Sequence, residues 1–355
     1  MIELNNIYIH GRYYYNDDKL YIYNTASGIE FNFKGKFAAI SLQAKIGQTD
    51  QAWMRVIIDN DDKNILELKF GAQNEEFTLV DSDVDEIHNI KVLKASEAIE
   101  SHVIITDLKI NGTFLDKPVY KYDLLVFGDS TVSAFGNLGK VDDEKTLFDT
   151  DGLNSFAYLT AKHFNWSPNI LSGSGWGLTF SPWTTPMRRP MLKFIDKVAV
   201  IETIDYDLTQ VKPKVIIISL GCNDFHYYTY TGEEGKTNSE LLDEFQNDYH
   251  KLLVKLSNLY PNVPIFLIYG VMQETLNYKN MHELFMKEKD HFNLQEAFLE
   301  GDVKGVSTHP SKASHQEIAS KLIKMIEETI HEYSKWIFKE ISNGCFKHQY
   351  WWCFK

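Results

Sequence analysis

Three short apolar runs, 123–127, 215–220 and 264–269, alternate with stretches of helical period at 154–163, 239–259 and 314–332. No other feature restricts the fold as much. Runs this short and apolar read as strands buried on both faces, and strand–helix alternation is the pattern of βαβ units around a parallel sheet. Residues 1–112 follow another pattern. Runs at 8–10, 19–23, 29–33, 38–43, 54–59, 65–70, 76–80, 87–93 and 103–111 are rich in Ile, Val, Tyr and Phe, separated by turn residues such as Asn60-Asp61-Asp62 and Asn111-Gly112. Short strands at near-regular spacing predict an antiparallel β-sandwich. The expected organisation is a β-sandwich over 1–112, a linker over 113–118 and an α/β domain over 119–335. An aromatic tail over 336–355, ending Trp351-Trp352-Cys353-Phe354-Lys355, has no derivable role.

Ligands of open α/β sheets collect beyond the carboxyl ends of the strands. The first apolar run ends in Gly128-Asp129-Ser130-Thr131 and the second in Gly221-Cys222-Asn223-Asp224, while His309-Pro310-Ser311 precedes the last helical stretch. Between the first two lies a glycine-rich loop, Ser172-Gly173-Ser174-Gly175-Trp176-Gly177. Taken singly, each piece has a plain explanation: Gly-Asp-Ser is an ordinary turn, Asn223 an Asx turn, Asp224 a helix cap, His309 a loop residue. Taken in order, they supply a hydroxyl nucleophile, amide donors and a base, which are the parts of an acyl-transfer site.

Composition narrows the partners. With 36 Lys+Arg against 49 Asp+Glu the net charge is −13, which argues against nucleic acid and anionic membranes. There is no 18-residue apolar run, so no transmembrane helix is expected. Residues 1–12 lack a basic region followed by an apolar one, so the chain as written reads as cytoplasmic; secretion is expected only if the start is incomplete. The three cysteines, Cys222, Cys345 and Cys353, form neither a disulfide framework nor a zinc motif. Cys222 reads as a small core filler. No cofactor or metal is expected, and the oligomeric state is not readable.

These motifs together resemble the SGNH (GDSL-type) hydrolase superfamily. Gly128-Asp129-Ser130 is similar to its first block, Ser172-Gly173 to the second, Gly221-Cys222-Asn223-Asp224 to the third and His309-Pro310 to the last. The resemblance covers 119 to about 332. The N-terminal β-region, with His10-Gly11-Arg12 and Gly28 to Gly35, and the strings Leu220 to Phe225 and His309 to His315, look like the second family of carbohydrate esterases. That resemblance implies a jelly-roll followed by a three-layer α/β/α domain. It also implies removal of O-acetyl groups from sugars such as xylo-, gluco- or manno-oligosaccharides.

The residues suggest matching roles. Ser130 is the candidate nucleophile and His309 the candidate base. The Ser130 N–H, the Gly173 N–H and the Asn223 amide are candidate oxyanion donors, with Gly175 and Gly177 as alternatives to Gly173. Glycine at 173 lets substrate approach the bare backbone. Trp176, Trp183, Asp224 and Phe225 are candidate substrate contacts, since flat aromatic faces suit pyranose rings. His226 and His315 have no assigned role beyond surface or helix-capping positions, and Arg188-Arg189 reads as a solvated pair. One position departs from the superfamily pattern. An aspartate commonly stands three residues before the histidine, and here that residue is Val306. Orientation of the imidazole then falls to a backbone carbonyl or a more distant acid such as Asp302. Two other readings stand beside the O-acetyl esterase: an SGNH lipase or lysophospholipase, and a glycan-binding protein with a vestigial hydrolase domain.

Overall fold

The structure, a computed structural model, describes residues 2–46, 49–61, 63, 65–183, 191–273 and 275–342. Arg188-Arg189, Cys345, Cys353 and the end of the aromatic tail lie outside the described residues.

The N-terminal part is an eight-stranded antiparallel sheet. Its strands are β1 (Tyr8–His10), β2 (Tyr13–Asn16), β3 (Lys19–Ile22), β4 (Gly28–Ile46), β5 (Ala52–Ile58), β6 (Ile65–Phe70), β7 (Glu75–Lys94) and β8 (Ser101–Phe114). The order is β2-β3-β8-β4-β7-β5-β6, with β1 pairing β4. Two pairs of runs expected as separate strands are each one long strand. Residues 29–33 and 38–43 both lie in β4, and 76–80 and 87–93 both lie in β7. A bulge between Gly35 and Phe37 explains the first merger. Before it Ile29, Phe31 and Phe33 face the core; after it Ala38, Ile40 and Leu42 do. The extra residue shifts the parity, so a curling strand keeps its apolar side inward. The expected turn at Asn111-Gly112 is absent as well, because β8 runs through it. Gly112 pairs Gly35, and a Cβ at Gly112 would collide with the Lys34 carbonyl.

The second part is a five-stranded parallel sheet in the order β10-β9-β11-β12-β13. Its strands are β9 (Asp123–Gly128), β10 (Ser167–Ser172), β11 (Pro213–Ser219), β12 (Ile265–Tyr269) and β13 (Leu294–Phe298). The helices are α1 (Ser130–Ser133), α2 (Phe156–His163), α3 (Cys222–His226), α4 (Asn238–Leu259), α5 (Thr275–Glu288) and α6 (Lys312–Ser342). Alternate residues of β9 and β11 enter different cores. Leu124, Val126 and Ile217 pack with α2 and α6, whereas Leu125, Phe127, Ile216 and Ile218 pack with α4 and α5. Burial on both faces is why these strands read as unbroken apolar runs. β10, β13 and α5 were not expected from the pattern. α6 continues past the expected end of its helical stretch to Ser342, so the start of the tail is helical. Among the described residues no helix is long and apolar enough to cross a membrane.

The two parts are joined by buried polar contacts. Arg12 is fully buried; its Nη1 donates to the Ile195 and Lys197 carbonyls at 2.8 and 2.6 Å, and its Nε to Asn169 at 3.2 Å. His10 meets Ser167 at 3.1 Å, and Arg55 pairs with buried Asp151 at 3.0 Å.

Candidate active site

Strand register sets the level of the site. Ser172 of β10 and Ser219 of β11 both stand opposite Gly128 of β9. The chain leaves all three strands in line, so Ser130, Gly173 and Asn223 come together at the carboxyl rim. Asp129 caps α1, its carboxylate accepting from the Thr131 N–H at 2.9 Å and the Thr131 hydroxyl at 2.8 Å. That cap fixes Ser130 as the first residue of the helix. Ser133 on the same turn meets Ser172 through their hydroxyls at 2.8 Å, tying α1 to the end of β10.

His309 arrives from the segment before α6. Its Nε2 lies 2.9 Å from Ser130 Oγ. Its Nδ1 lies 3.2 Å from both the Val306 and the Ser307 carbonyl oxygens. Carbonyls accept only, so Nδ1 carries the proton and Nε2 presents a lone pair to the Ser130 hydroxyl. Burial holds the imidazole below its ordinary pKa against the upward pull of the two carbonyls, and Lys145 adds to the lowering. The neutral ring is the form a general base requires. Phe135 packs against it with centroids 4.5 Å apart.

The segment that carries His309 is stitched to the turn after α1. Val306 N donates to the Gly136 carbonyl at 3.1 Å, and Lys312 N to Asn137 at 2.8 Å. Val306 fills the place of the expected aspartate as a fully buried apolar residue. Asp302 does not serve instead. Burial alone would raise its pKa, but the Ser311 N–H and hydroxyl, at 2.7 and 2.6 Å, hold it below the usual range as a loop brace.

The glycine-rich loop closes a turn in which the Gly173 carbonyl accepts from the Trp176 N–H at 3.1 Å. The Asn223 amide donates to the Trp176 carbonyl at 3.2 Å and to Asp129 at 3.4 Å. Both amide donors expected for an oxyanion therefore hang on the same turn.

Two of the expected substrate contacts, Asp224 and Phe225, are corrected. Asp224 is 0% exposed and accepts backbone N–H groups from Leu178, Thr179 and Phe180 at 2.7–2.8 Å. Burial pushes its pKa up to about 7 against the pull of those amides. It organises the loop and is out of a ligand's reach. Phe225 is 2% exposed and packs on Tyr228 and Phe245, because its side of α3 faces inward against α4. Trp176 packs edge-on against Phe194 and is as exposed as Ser130, so its burial does not remove it from the site. Trp183, by contrast, is 66% exposed, and its ring lies 4.9 Å from His226, which in turn lies 4.7 Å from the ring of 73%-exposed Tyr230. His315 is buried, and its Nδ1 accepts the first N–H of α2, from Phe156, at 3.3 Å. Cys222 is half-buried and is not in a disulfide. Among the described residues no three His, Cys, Asp or Glu side chains are placed to hold a metal.

The sequence pointed to a backbone carbonyl behind His309 but not to those of Val306 and Ser307, since every residue has one, and it missed Phe135, an isolated aromatic in a turn.

With the geometry in place, comparison with known proteins is informative. The carbohydrate esterase 2 N-terminal profile matches residues 9–118, and the GDSL-like lipase/acylhydrolase profile matches residues 124–322. The chain is 25% identical over 319 residues to the cellulase/esterase CelE of Acetivibrio thermocellus, covering 86% of this chain and 37% of that protein. It is 25% identical over 217 residues to the acetylxylan esterase/glucomannan deacetylase of Cellvibrio japonicus, covering 59% of this chain and 60% of that one. The chain thus spans between a third and two thirds of these relatives. A family two carbohydrate esterase from Clostridium thermocellum, solved with cellohexaose, shares the fold at a TM-score of 0.80 and 23% identity, over 92% of this chain and 99% of that one. The chain belongs to the GDSL-like lipase/acylhydrolase family of SGNH hydrolases, on the branch that carries the carbohydrate esterase 2 N-terminal domain.

Proposed function

We propose that the protein is a serine esterase that removes O-acetyl groups from carbohydrates through an acyl-enzyme. The observation that carries this reading is the 2.9 Å contact between Ser130 Oγ and His309 Nε2, with Nδ1 tied to two carbonyls. Ser130 Oγ attacks the acetyl carbonyl as His309 takes its proton. The oxyanion is met by the Ser130 and Gly173 N–H groups and the Asn223 amide, which turns from its 3.4 Å contact with Asp129. Collapse expels the sugar alkoxide, protonated by His309. Water, deprotonated by the same ring, then releases acetate and frees Ser130.

The sugar is proposed to rest on exposed Trp183 and Tyr230 with half-buried His226 between them, rings that suit the apolar faces of pyranoses. The relatives named as acetylxylan esterase, glucomannan deacetylase and cellulase/esterase support acetylated xylo-, gluco- or manno-oligosaccharides as the substrate class. The test is acetate release from a panel of such oligosaccharides, set against a long-chain acyl ester. The reading predicts that the acetylated sugars turn over faster by kcat/KM. Preference for the long chain makes the protein a lipase-type member, and glycan binding with no hydrolysis makes the domain vestigial.

A further inference from the structure

The connection between β7 and β8, residues 95–100, leaves the N-terminal sheet and enters the α/β part. Ala98 lies in the same core as Leu125, Phe127 and Trp176, and Glu97 is fully buried. A buried carboxylate is costly unless it is engaged. Glu97 Oε2 accepts both the backbone N–H and the hydroxyl of Ser174, at 3.1 and 2.6 Å. Lys94 holds the connection from below, its Nζ donating to the Ser96 and Glu97 carbonyls at 2.9 and 2.7 Å. Glu100 braces it from the side. Its Oε2 meets the Glu97 N–H at 3.4 Å, and its Oε1 accepts Lys145, whose Nζ also lies 4.8 Å from the Phe135 ring.

Ser174 is the second residue of the turn that begins at Gly173. One side of Gly173 is fixed by β10, which ends at Ser172. On its other side, the peptide linking it to Ser174 is fixed by the Trp176 N–H on its carbonyl and by Glu97 on the Ser174 N–H. The Trp176 carbonyl at the far end of the turn holds the Asn223 amide. One carboxylate therefore governs a turn on which both proposed amide donors depend.

We propose that Glu97, from the N-terminal sheet, is a positioning residue for ester hydrolysis that acts through Ser174 to aim the Gly173 N–H and the Asn223 amide at the oxyanion. The N-terminal part is then a structural component of the active site. This inference rests on the esterase reading. It assigns Glu97 an effect on turnover, because an oxyanion donor displaced by a fraction of an ångström loses transition-state stabilisation while ground-state binding stays.

The test measures kcat, KM and melting temperature with a chromogenic aryl acetate for the full chain and for Glu97→Ala, Glu97→Gln and Ser174→Ala. Losing one oxyanion donor costs about 10²–10³ in turnover, so misaiming is expected to cost at least about tenfold in kcat for Glu97→Ala, with KM within about twofold. Glu97→Gln keeps an acceptor oxygen and is expected to retain most of the turnover. Ser174→Ala removes one of two bonds and is expected to fall between. Glu97→Ala that folds and turns over normally overturns the proposal, as does Glu97→Gln that is folded and as slow as Glu97→Ala. If Glu97→Ala does not fold, normal turnover of Ser174→Ala overturns it. A wild-type protein that hydrolyses no acetyl ester contradicts the esterase reading instead, a result distinct from any difference among variants.

Discussion

His309 is held in place without a carboxylate partner among the described residues, by backbone carbonyls alone. Two carbonyls at 3.2 Å turn the ring and fix its tautomer, but neither carries the full charge that would stabilise an imidazolium. Burial therefore prevails and lowers the His309 pKa. The sign follows: kcat/KM should show an acidic limb below the ordinary histidine value of about 6.5 and a plateau above it. Asp302, engaged by Ser311, takes no part in this titration. Asp302→Ala is expected to lose less than about tenfold in kcat, whereas removing the aspartate of a full triad costs about 10⁴-fold. A pH–rate study of both proteins checks the limb and the loss together. An Asp302→Ala variant as slow as His309→Ala would show that a distant acid orients the ring after all.

At the scale of elements, the His309 segment and the turn after α1 act as one unit. Gly136 has φ +61°, and a Cβ there would lie 2.6 Å from Val306 Cβ. Gly136→Ala thus combines a left-handed backbone with a clash against the residue whose carbonyl orients His309. Turnover is expected to fall at least about tenfold, with about 1–3 kcal/mol of stability lost to overpacking and backbone strain. Kinetics together with chemical denaturation check this, and a variant with unchanged kcat would uncouple the turn from the ring. Much at this scale was legible in the sequence. β9 and β11 were readable because both faces are apolar, and their motifs at the ends placed Ser130 and Asn223 on the rim. β10, Ser167-Pro168-Asn169-Ile170-Leu171-Ser172, was not readable, because its polar residues are buried through side-chain partners such as Arg12. The fate of Asp224 and Phe225 was equally hidden, since α3 is too short for a periodicity to show which side faces in.

At the scale of the whole molecule, the sequence revealed two architectures but not their interdependence. Arg12 and Glu97 look like ordinary charges in a β-rich stretch, and only the fold brings them into the other part. The same burial couples stability to pH. His315 is held neutral in the interior, its pKa lowered to about 3 by burial. Between that value and the ordinary one the unfolded chain binds a proton that the folded chain does not. The stabilising contribution of the neutral ring is complete above about pH 6.5 and falls by about 1.4 kcal/mol per unit as pH drops below it. Asp224, raised to about 7, has the opposite sign. The readout is therefore the difference in unfolding free energy between the wild type and His315→Gln, which should shift against the wild type as pH is lowered from 7 to 5. A difference that does not vary with pH would mean that His315 is not buried neutral.

The measurement that most directly tests the central claim uses a fluorophosphonate, which captures a serine only where a base activates it and an oxyanion is stabilised. Intact-protein mass spectrometry should show one adduct per chain, mapped by peptide analysis to Ser130, with hydrolysis of acetylated oligosaccharides lost in proportion to labelling. Ser130→Ala should take up no label and release no acetate. An adduct on another residue, or acetate release that persists in Ser130→Ala, would contradict the account.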